Sequence, residues 1–455
     1  MEPGSDSKQH RISPAKDILE LKFNLEVYNG LSEENMAYHV HLFRDKVQRL
    51  EASLAYSNAY NDTFYLMGQT GTGKTTIVDY LFAKSEKLKK KYVFIELDFT
   101  DERYSTDYFD DNFNSIELFL IIFARIFEVA QTHLDSEQVE TLTKRLKGIE
   151  DKQPIQHQDI ALNKWSFADF LAEGLMKLGL GWNVDMSRRE TTRRLYQNSV
   201  QEVLDILNEL IVKTAQQVPD GKTLLLFLDG LEKLRSTNVI NKIFNHENAA
   251  KFRQIQCRKL IVKPVDSPAQ VANMAIDANK EFLISTKVFH NPLDSFVEDK
   301  VQDEHIATEY QLFKAIVTNR IAPDAPELIE DDALRLAIEK SGGILSDYLA
   351  ILISAVIFAD VAGSNIIRTE HVEGACRDLE GNKSVQFIMD AKAIKLLYHV
   401  LEQHTCPNDA DLSGDVFLRQ LLINNLIIGK NGVHCFYVHP LIQKTVAVYG
   451  KPRSE

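Results

Sequence analysis

Gly68-Gln69-Thr70-Gly71-Thr72-Gly73-Lys74-Thr75 decides the fold. A short apolar run, Phe64-Tyr65-Leu66-Met67, precedes it, and a helical pattern, Thr76-Ile77-Val78-Asp79-Tyr80-Leu81-Phe82, follows. The spacing is GxxxxGK[ST] between a strand and a helix, the context that this motif needs to cradle phosphate. Its glycines let backbone N–H groups turn inward, at a helix N-terminus whose dipole favours anions. Lys74 is expected to reach the β- and γ-phosphates of a nucleoside triphosphate, and the Thr75 hydroxyl to hold Mg2+. The expected cofactors are therefore ATP or ADP with Mg2+. The expected contact set is Gly68, Gln69, Thr70, Gly71, Thr72, Gly73, Lys74, Thr75 and Thr76. A Gly/Thr-rich turn that matches the motif by chance is the alternative.

Around this loop the sequence is that of an ordinary globular protein. Its 455 residues suffice for two or three domains, with 44% hydrophobic and 26% charged residues. No apolar run approaches the ~20 residues of a membrane span, and the polar start Met1–Ser7 lacks the apolar core of a signal peptide. Cys257, Cys376, Cys406 and Cys435 are scattered without CxxC spacing. That argues against a disulfide framework or a zinc site and fits a reducing cytoplasm. The net charge of −13 excludes a general nucleic-acid binder, while a local basic patch stays open.

Along the chain, 1–15 reads as a tail. Residues 31–60 read as helical, with Ser32 as cap and Met36, Val40, Phe43, Val47 and Leu50 at alternating four- and three-residue spacing. The helix after the loop ends in Lys87-Leu88-Lys89-Lys90-Lys91, which suits a helix C-terminus and leaves a DNA contact open. Residues 92–98 form a second strand. Roughly 120 residues of mostly helical pattern follow, at 113–133, 136–147, 166–180 and 187–216. Continuous apolar strands are then expected at 222–228, 259–262 and 281–285. Strands alternating with helices imply an α/β fold with a parallel sheet covered on both faces. After Asn291-Pro292 only helices are expected, at 305–320, 330–340, 346–360 and 369–379. The end reads as a winged helix, with helices through 393–397 and 414–424 and a hairpin pairing 426–428 with 434–438. Asn431-Gly432 lies at the tip of that hairpin, the strongest short hairpin signal. The expected domains are an N-terminal tail and helices (1–60), a phosphate-loop core (61–292, with a helical insertion at 101–220), a helical lid (293–383) and a winged helix (384–455).

The strand at 223–228 delivers Asp229-Gly230-Leu231-Glu232 at its tip. An Asp in that position fits the carboxylate that orients Mg2+, although Asp-Gly is also turn chemistry. Glu232 is the candidate general base or water orienter, against a solvated Glu at a helix start. Catalytic work is thus assigned to Lys74, Asp229 and Glu232, and metal binding to Thr75 and Asp229. Arg188, Arg189, Arg193 and Arg194, and separately Arg253 and Arg258, are candidates for neutralising γ-phosphate charge, with a solvated helix face as the plainer reading. Ser341-Gly342-Gly343 is expected to open a helix and to allow close backbone approach, with a plain turn as the equal alternative.

Together these features resemble the AAA+/STAND class of phosphate-loop ATPases, which includes origin-recognition-like ATPases and signalling NTPases of immunity. The features are the loop at 68–75, the strand end at 229–232, the Gly-Gly pair and the terminal winged helix. In the STAND branch the wing ends in a His that senses the ADP β-phosphate. Phe436-Tyr437-Val438-His439-Pro440-Leu441 looks like that motif and gives His439 the sensor role, with a structural hydrogen-bonded His as the alternative. There are departures. Pro440 stands where Asp is usual, Gly230 stands where many hydrolysing relatives have Glu, and Ser346-Asp347 falls where many AAA+ lids carry Arg. The resemblance implies a nucleotide-dependent switch in bacterial anti-phage defence, a homo-oligomer working with a separate effector or sensor chain. The alternative is a DNA-acting ATPase in replication initiation or transposition. For that role, Arg419 and Lys430 are thin against the several Lys/Arg contacts usual on DNA.

Overall fold

A computed structural model describes residues 13–26, 35–99, 115–152, 193–231, 246–263, 280–283, 288, 299–405, 421–422, 424–430 and 435–451. In chain order the described elements begin with α1 (Ile18–Glu26), α2 (Arg44–Tyr56), β1 (Thr63–Gly68), α3 (Lys74–Lys84), α4 (Glu86–Lys91) and β2 (Tyr92–Asp98). Then come α5 (Ser115–Ala130), α6 (Ser136–Asp151), α7 (Val200–Gln217), β3 (Thr223–Asp229), α8 (His246–Gln254), β4 (Arg258–Lys263) and β5 (Lys280–Leu283). The C-terminal part holds α9 (Asp299–Thr318), α10 (Asp331–Ser341), α11 (Leu345–Val361), α12 (Thr369–Ser384), α13 (Ala391–Gln403), β6 (Ile427–Lys430), β7 (Cys435–Val438) and α14 (Gln443–Tyr449). No described helix is long and apolar enough to cross a membrane.

The fold is α/β, with a parallel five-stranded sheet in the order β2-β3-β4-β1-β5. The register sets Tyr92 beside Thr223 and Asp98 beside Asp229, and Leu225 beside Arg258. β3 reads TLLLFLD with six of seven residues buried, and all six residues of β4 are buried. Such unbroken apolar runs arise because both sheet faces are covered.

By contacts the chain divides into two compact units. One comprises Glu51–Leu66 and Ser85–Lys263. Here α5 packs on β2 and α7 on β3, covering the sheet, and α6 packs on α7. α5 is apolar nearly throughout, and α7 buries Val203, Leu204, Leu207, Leu210 and Ile211 along one stripe. The lysine run has a structural end. Lys91 Nζ donates to the carbonyls of Leu54, Ala55 and Ser57 at 3.2, 2.8 and 2.6 Å, closing the C-terminus of α2.

The other unit comprises Met1–Leu50, Met67–Lys84 and Pro264–Glu455. One continuous apolar core runs from α1 through α9–α12 to α13 and the β6–β7 hairpin. The hairpin is antiparallel, pairing Ile427 with Val438 and Lys430 with Cys435, close to the expected register. Its tip at 431–434, and residues 414–420 and 423 of the expected second helix, lie outside the described residues.

Three local expectations are corrected. Residue 15 is not tail: Ala15 is fully buried, donates to the Arg320 carbonyl at 2.6 Å and accepts from Ala322 at 2.8 Å. Residues 31–60 are not one helix, because within the described part a 3-10 turn (Asn35–Tyr38) and α2 are separated at 39–43, where Phe43 has φ +49°. The periodic residues Met36, Val40, Val47 and Leu50 are buried all the same, so the pattern marks burial rather than one helix. Finally, Gly342 ends α10 as a left-handed cap (φ +64°) instead of opening a helix, and α11 starts at Leu345.

Candidate nucleotide site

β1 ends at Gly68 and α3 begins at Lys74, so the loop at 68–75 sits between strand and helix, with α3 pointing its N-terminus at the loop. Gly71 and Gly73 have φ of +80° and +83°, which turn alternate N–H groups to one side. Gly68 is held close to β5, where an added Cβ would come within 2.2 Å of the Leu283 carbonyl oxygen. Thr72 Oγ1 donates to the Gln69 carbonyl at 2.9 Å, bracing the turn. Lys74 is 3% exposed, and its ammonium donates to the carbonyls of Gln69 and Gly68 at 2.7 and 3.3 Å. Thr75 and Thr76 follow it in the first turn of α3, both half-buried.

The residues fit a phosphate-bearing ligand. Only glycine fits at Gly68, against the Leu283 backbone, and at Gly71, against Ser346, so the loop backbone carries no side chain at either position. In addition, Thr70 Oγ1 and Asn425 Oδ1 are buried without a hydrogen-bond partner among the described residues. Orphaned polar atoms beside a glycine cradle are groups that a polar ligand would satisfy.

Three consecutive loop residues are held by the C-terminal segments of the same unit. Gln69 Nε2 donates to the Ile427 carbonyl at 2.8 Å, and Asn425 Nδ2 donates to the Thr70 carbonyl at 3.0 Å. The Ser346 N–H, a free donor in the first turn of α11, donates to the Gly71 carbonyl at 3.0 Å. Asn425 is left-handed (φ +53°), which Asn tolerates better than most residues, and this turn precedes β6. The acceptors are all backbone carbonyls.

His439 lies just beyond β7 and is fully buried. Its Nδ1 accepts from the Leu441 N–H at 3.2 Å, which leaves Nε2–H to donate to Asp347 Oδ2 at 2.9 Å. Lys383 Nζ lies 3.2 Å from the same Asp347 oxygen. Burial pushes the His439 imidazole below its ordinary pKa, against the hydrogen bond and charge of Asp347. Burial also works against the Asp347 carboxylate, but the His439 hydrogen bond and the Lys383 charge outweigh it and hold the carboxyl low. Asp347 is thus a carboxylate beside a neutral histidine, one residue from the Ser346 that binds the loop.

In the sheet unit, Asp229 ends β3, fully buried, and its carbonyl accepts from the Phe99 N–H at 3.0 Å. Gly230 follows with φ +76°, a conformation that favours glycine and turns the chain off the strand. Glu232, Arg188 and Arg189 lie outside the described residues. Arg193 pairs with buried Glu117 at 3.4 Å. Arg258 opens β4, at the opposite end of parallel strands from Asp229, and is spent on Ser57 and Thr223. Those three hydrogen bonds are all to neighbouring protein groups.

Sequence reasoning missed Ser346, Asp347 and Asn425, whose partners are far along the chain. It also missed an aromatic cluster on α3. Tyr80 stacks on His39 with ring centroids 4.5 Å apart and meets His41 edge-on at 4.4 Å. Burial, with the nearby His41 and Arg320, lowers the His39 pKa from 6.5 to about 4.

No family model and no curated protein matches this chain. Among solved structures, it is similar to an Aeropyrum pernix ORC2 protein (ADPNP-ADP complexes), at 11% identity and TM-score 0.42, over 92% of this chain and 98% of that one. Drosophila ORC bound to DNA matches at 12% identity and TM-score 0.40, over 99% and 97%. The Thermotoga maritima RuvB Holliday junction branch migration motor matches at 11% identity and TM-score 0.34, over 96% and 99%. These are distant likenesses. What those proteins bind is not carried over to this chain.

Proposed function

We propose that this chain is an ATP- and ADP-binding switch that hydrolyses ATP slowly and changes conformation on nucleotide exchange. The observation that carries the reading is the clasp on the phosphate loop, in which Gln69, Thr70 and Gly71 each bond a residue of α11 or of the wing. An arrangement that ties the loop to a separate element makes the loop's contents and the position of that element mutually dependent. In this reading the N–H groups of 70–75 and Lys74 hold the phosphates, and Thr75 is a ligand of Mg2+. Asp229 is the carboxylate that orients the metal, and Glu232 remains the candidate water orienter.

The role of His439 follows from its partners. It holds Asp347 in place, and so the start of α11, through a hydrogen bond of 2.9 Å. In this proposal its influence on the loop runs through Asp347 and the adjacent Ser346. Opening of the clasp is proposed to expose surface for homo-oligomer assembly and for a separate effector or sensor chain. The setting implied by the resemblance, bacterial anti-phage defence, belongs to this proposal, as does a cytoplasmic location.

The test is nucleotide occupancy, mass and ATPase rate of the purified protein, wild type against His439→Ala. ADP retained in a small species, with ATP producing a larger one and His439→Ala shifting that balance, supports the switch. Unchanged occupancy, mass and rate in His439→Ala remove its mechanism. Tight duplex-DNA binding with a steep salt dependence would instead favour the DNA-acting alternative.

A further inference from the structure

The side-chain amide of Asn425, in the turn before β6, is engaged at one end. Its Nδ2 donates to the Thr70 carbonyl at 3.0 Å, which fixes Oδ1 as the other end. Asn425 is 6% exposed, and Oδ1 is buried with no hydrogen-bond partner among the described residues. By amide geometry Oδ1 lies roughly 2 Å from Nδ2, so it stays beside the loop at Thr70. Thr70 Oγ1, on the residue that Nδ2 holds, is buried and unpartnered in the same way. Both residues belong to the same compact unit. Native folds leave few such atoms, and two of them at one turn of a phosphate loop point to a ligand.

Their chemistry narrows what that ligand offers. An amide oxygen only accepts, and ionised phosphate oxygens also only accept, so phosphate cannot satisfy Oδ1. A hydroxyl both donates and accepts, so Thr70 Oγ1 suits a phosphate oxygen. Lys74 marks the position along the loop. Its ammonium, expected at the β- and γ-phosphates, lies 2.7 Å from the Gln69 carbonyl, one residue before Thr70. Asn425 therefore stands at the terminal-phosphate end. Ribose and base, which carry the O–H and N–H groups of a nucleotide, attach at the far end of the phosphate chain. The donor that remains for Oδ1 is water.

We propose that Asn425 is a water-positioning residue for ATP cleavage, supplied by the wing. This inference rests on the nucleotide reading above. Oδ1 accepts one O–H of a water, while Thr70 Oγ1 donates to the γ-phosphate that the water attacks. The water oxygen bonds the γ-phosphorus, the bond to the bridging oxygen breaks, and its electron pair leaves on ADP. The water's other proton goes to a base, for which Glu232 is the candidate, and Asn425 neither gains nor loses a proton. Because the same side chain clasps Thr70, ATP is cleaved only while the wing is docked. With the wing away, bound ATP stays intact until the clasp re-forms.

The test compares Asn425→Gly with Ile428→Val, in single-turnover cleavage of radiolabelled ATP with protein in excess and in release of a fluorescent ADP analogue. Glycine adopts the φ of +53° at 425 without strain. One variant loosens the wing through a hydrogen bond, the other through one methyl of the contact with Ile344 and Tyr437, and only the first loses Oδ1. ADP release involves no cleavage and should rise by about two- to tenfold in both. Cleavage in Asn425→Gly should be slower than in Ile428→Val by about tenfold or more. Thr70→Val, which replaces the hydroxyl with a methyl, should slow cleavage without speeding ADP release, because its carbonyl still holds Asn425. Cleavage in Asn425→Gly within about twofold of Ile428→Val, with Thr70→Val at the wild-type rate, overturns the proposal and leaves the nucleotide reading standing. A wild-type protein that binds ATP without cleaving it overturns the slow-hydrolysis reading, and this inference with it.

Discussion

Asn425 is the point at which the clasp can be loosened with least collateral change. Its side chain donates one hydrogen bond, to the Thr70 carbonyl at 3.0 Å, and its backbone is left-handed at φ +53°. Asn425→Gly removes the donor while keeping a residue that adopts this φ without strain. A hydrogen bond of this kind has a net worth of about 0.5–1.5 kcal/mol, so its loss should multiply the open-to-clasped ratio by about two- to tenfold. The added chain entropy of glycine affects global unfolding, not docking, and is read separately as a fall in melting temperature. Asn425→Asp goes further, since a carboxylate can only accept and would face the Thr70 carbonyl oxygen without a proton to share. Stopped-flow release of a fluorescent ADP analogue reads the clasp directly. The expected order of release rates is Asp fastest, then Gly, then wild type, with ADP still bound by all three at saturation. Release rates that agree within about twofold in all three proteins would refute the idea that the wing restrains the loop's contents.

Three further outcomes follow from the same geometry. Lys74→Ala should weaken ADP binding by about a hundredfold in calorimetry, because the ammonium is the buried cation of the loop and charge-assisted contacts are the strong ones. Gly68→Ala should lower the melting temperature by the equivalent of about 1–3 kcal/mol, since its Cβ would meet a backbone oxygen, that of Leu283, at 2.2 Å. For pH, the folded His39 stays neutral until about pH 4, whereas the unfolded residue takes a proton near 6.5. Its contribution to stability is therefore present above 6.5 and lost as pH falls toward 4. His39→Phe, which keeps a ring on Tyr80, should flatten the decline in melting temperature across that window.

The sequence made the parallel core legible because local chemistry writes it twice. Strands buried on both faces leave unbroken apolar runs, as at 223–228, and a phosphate loop needs glycines at fixed spacing. The hairpin was legible from Asn431-Gly432 and its flanks. The clasp was not. Its acceptors are the carbonyls of Thr70, Gly71 and Ile427, which every residue type carries, and the two partners of each bond lie more than 270 residues apart. The break at 39–43 was hidden for a different reason. Burial repeats every three to four residues across it, although Phe43 has left the helical region. Arg258 shows the limit of reading charge by position, since an arginine just before a strand is equally available to a ligand or to neighbouring carbonyls.

Gly342 carries a consequence for how such a protein changes over generations. An added methyl there would lie 2.3 Å from Ile428 Cδ1 and 3.0 Å from the Pro440 ring, on a residue already at φ +64°. Ile428 itself belongs to a small apolar contact with Ile344 and Tyr437, apart from the main core. Any base change at the first two positions of that one codon would replace the glycine and press α10 against the wing while leaving every phosphate-binding residue intact. The packing of α10 on the wing thus hangs on one codon, and if the proposed switch is real, variants that lose its restraint should arise at this glycine.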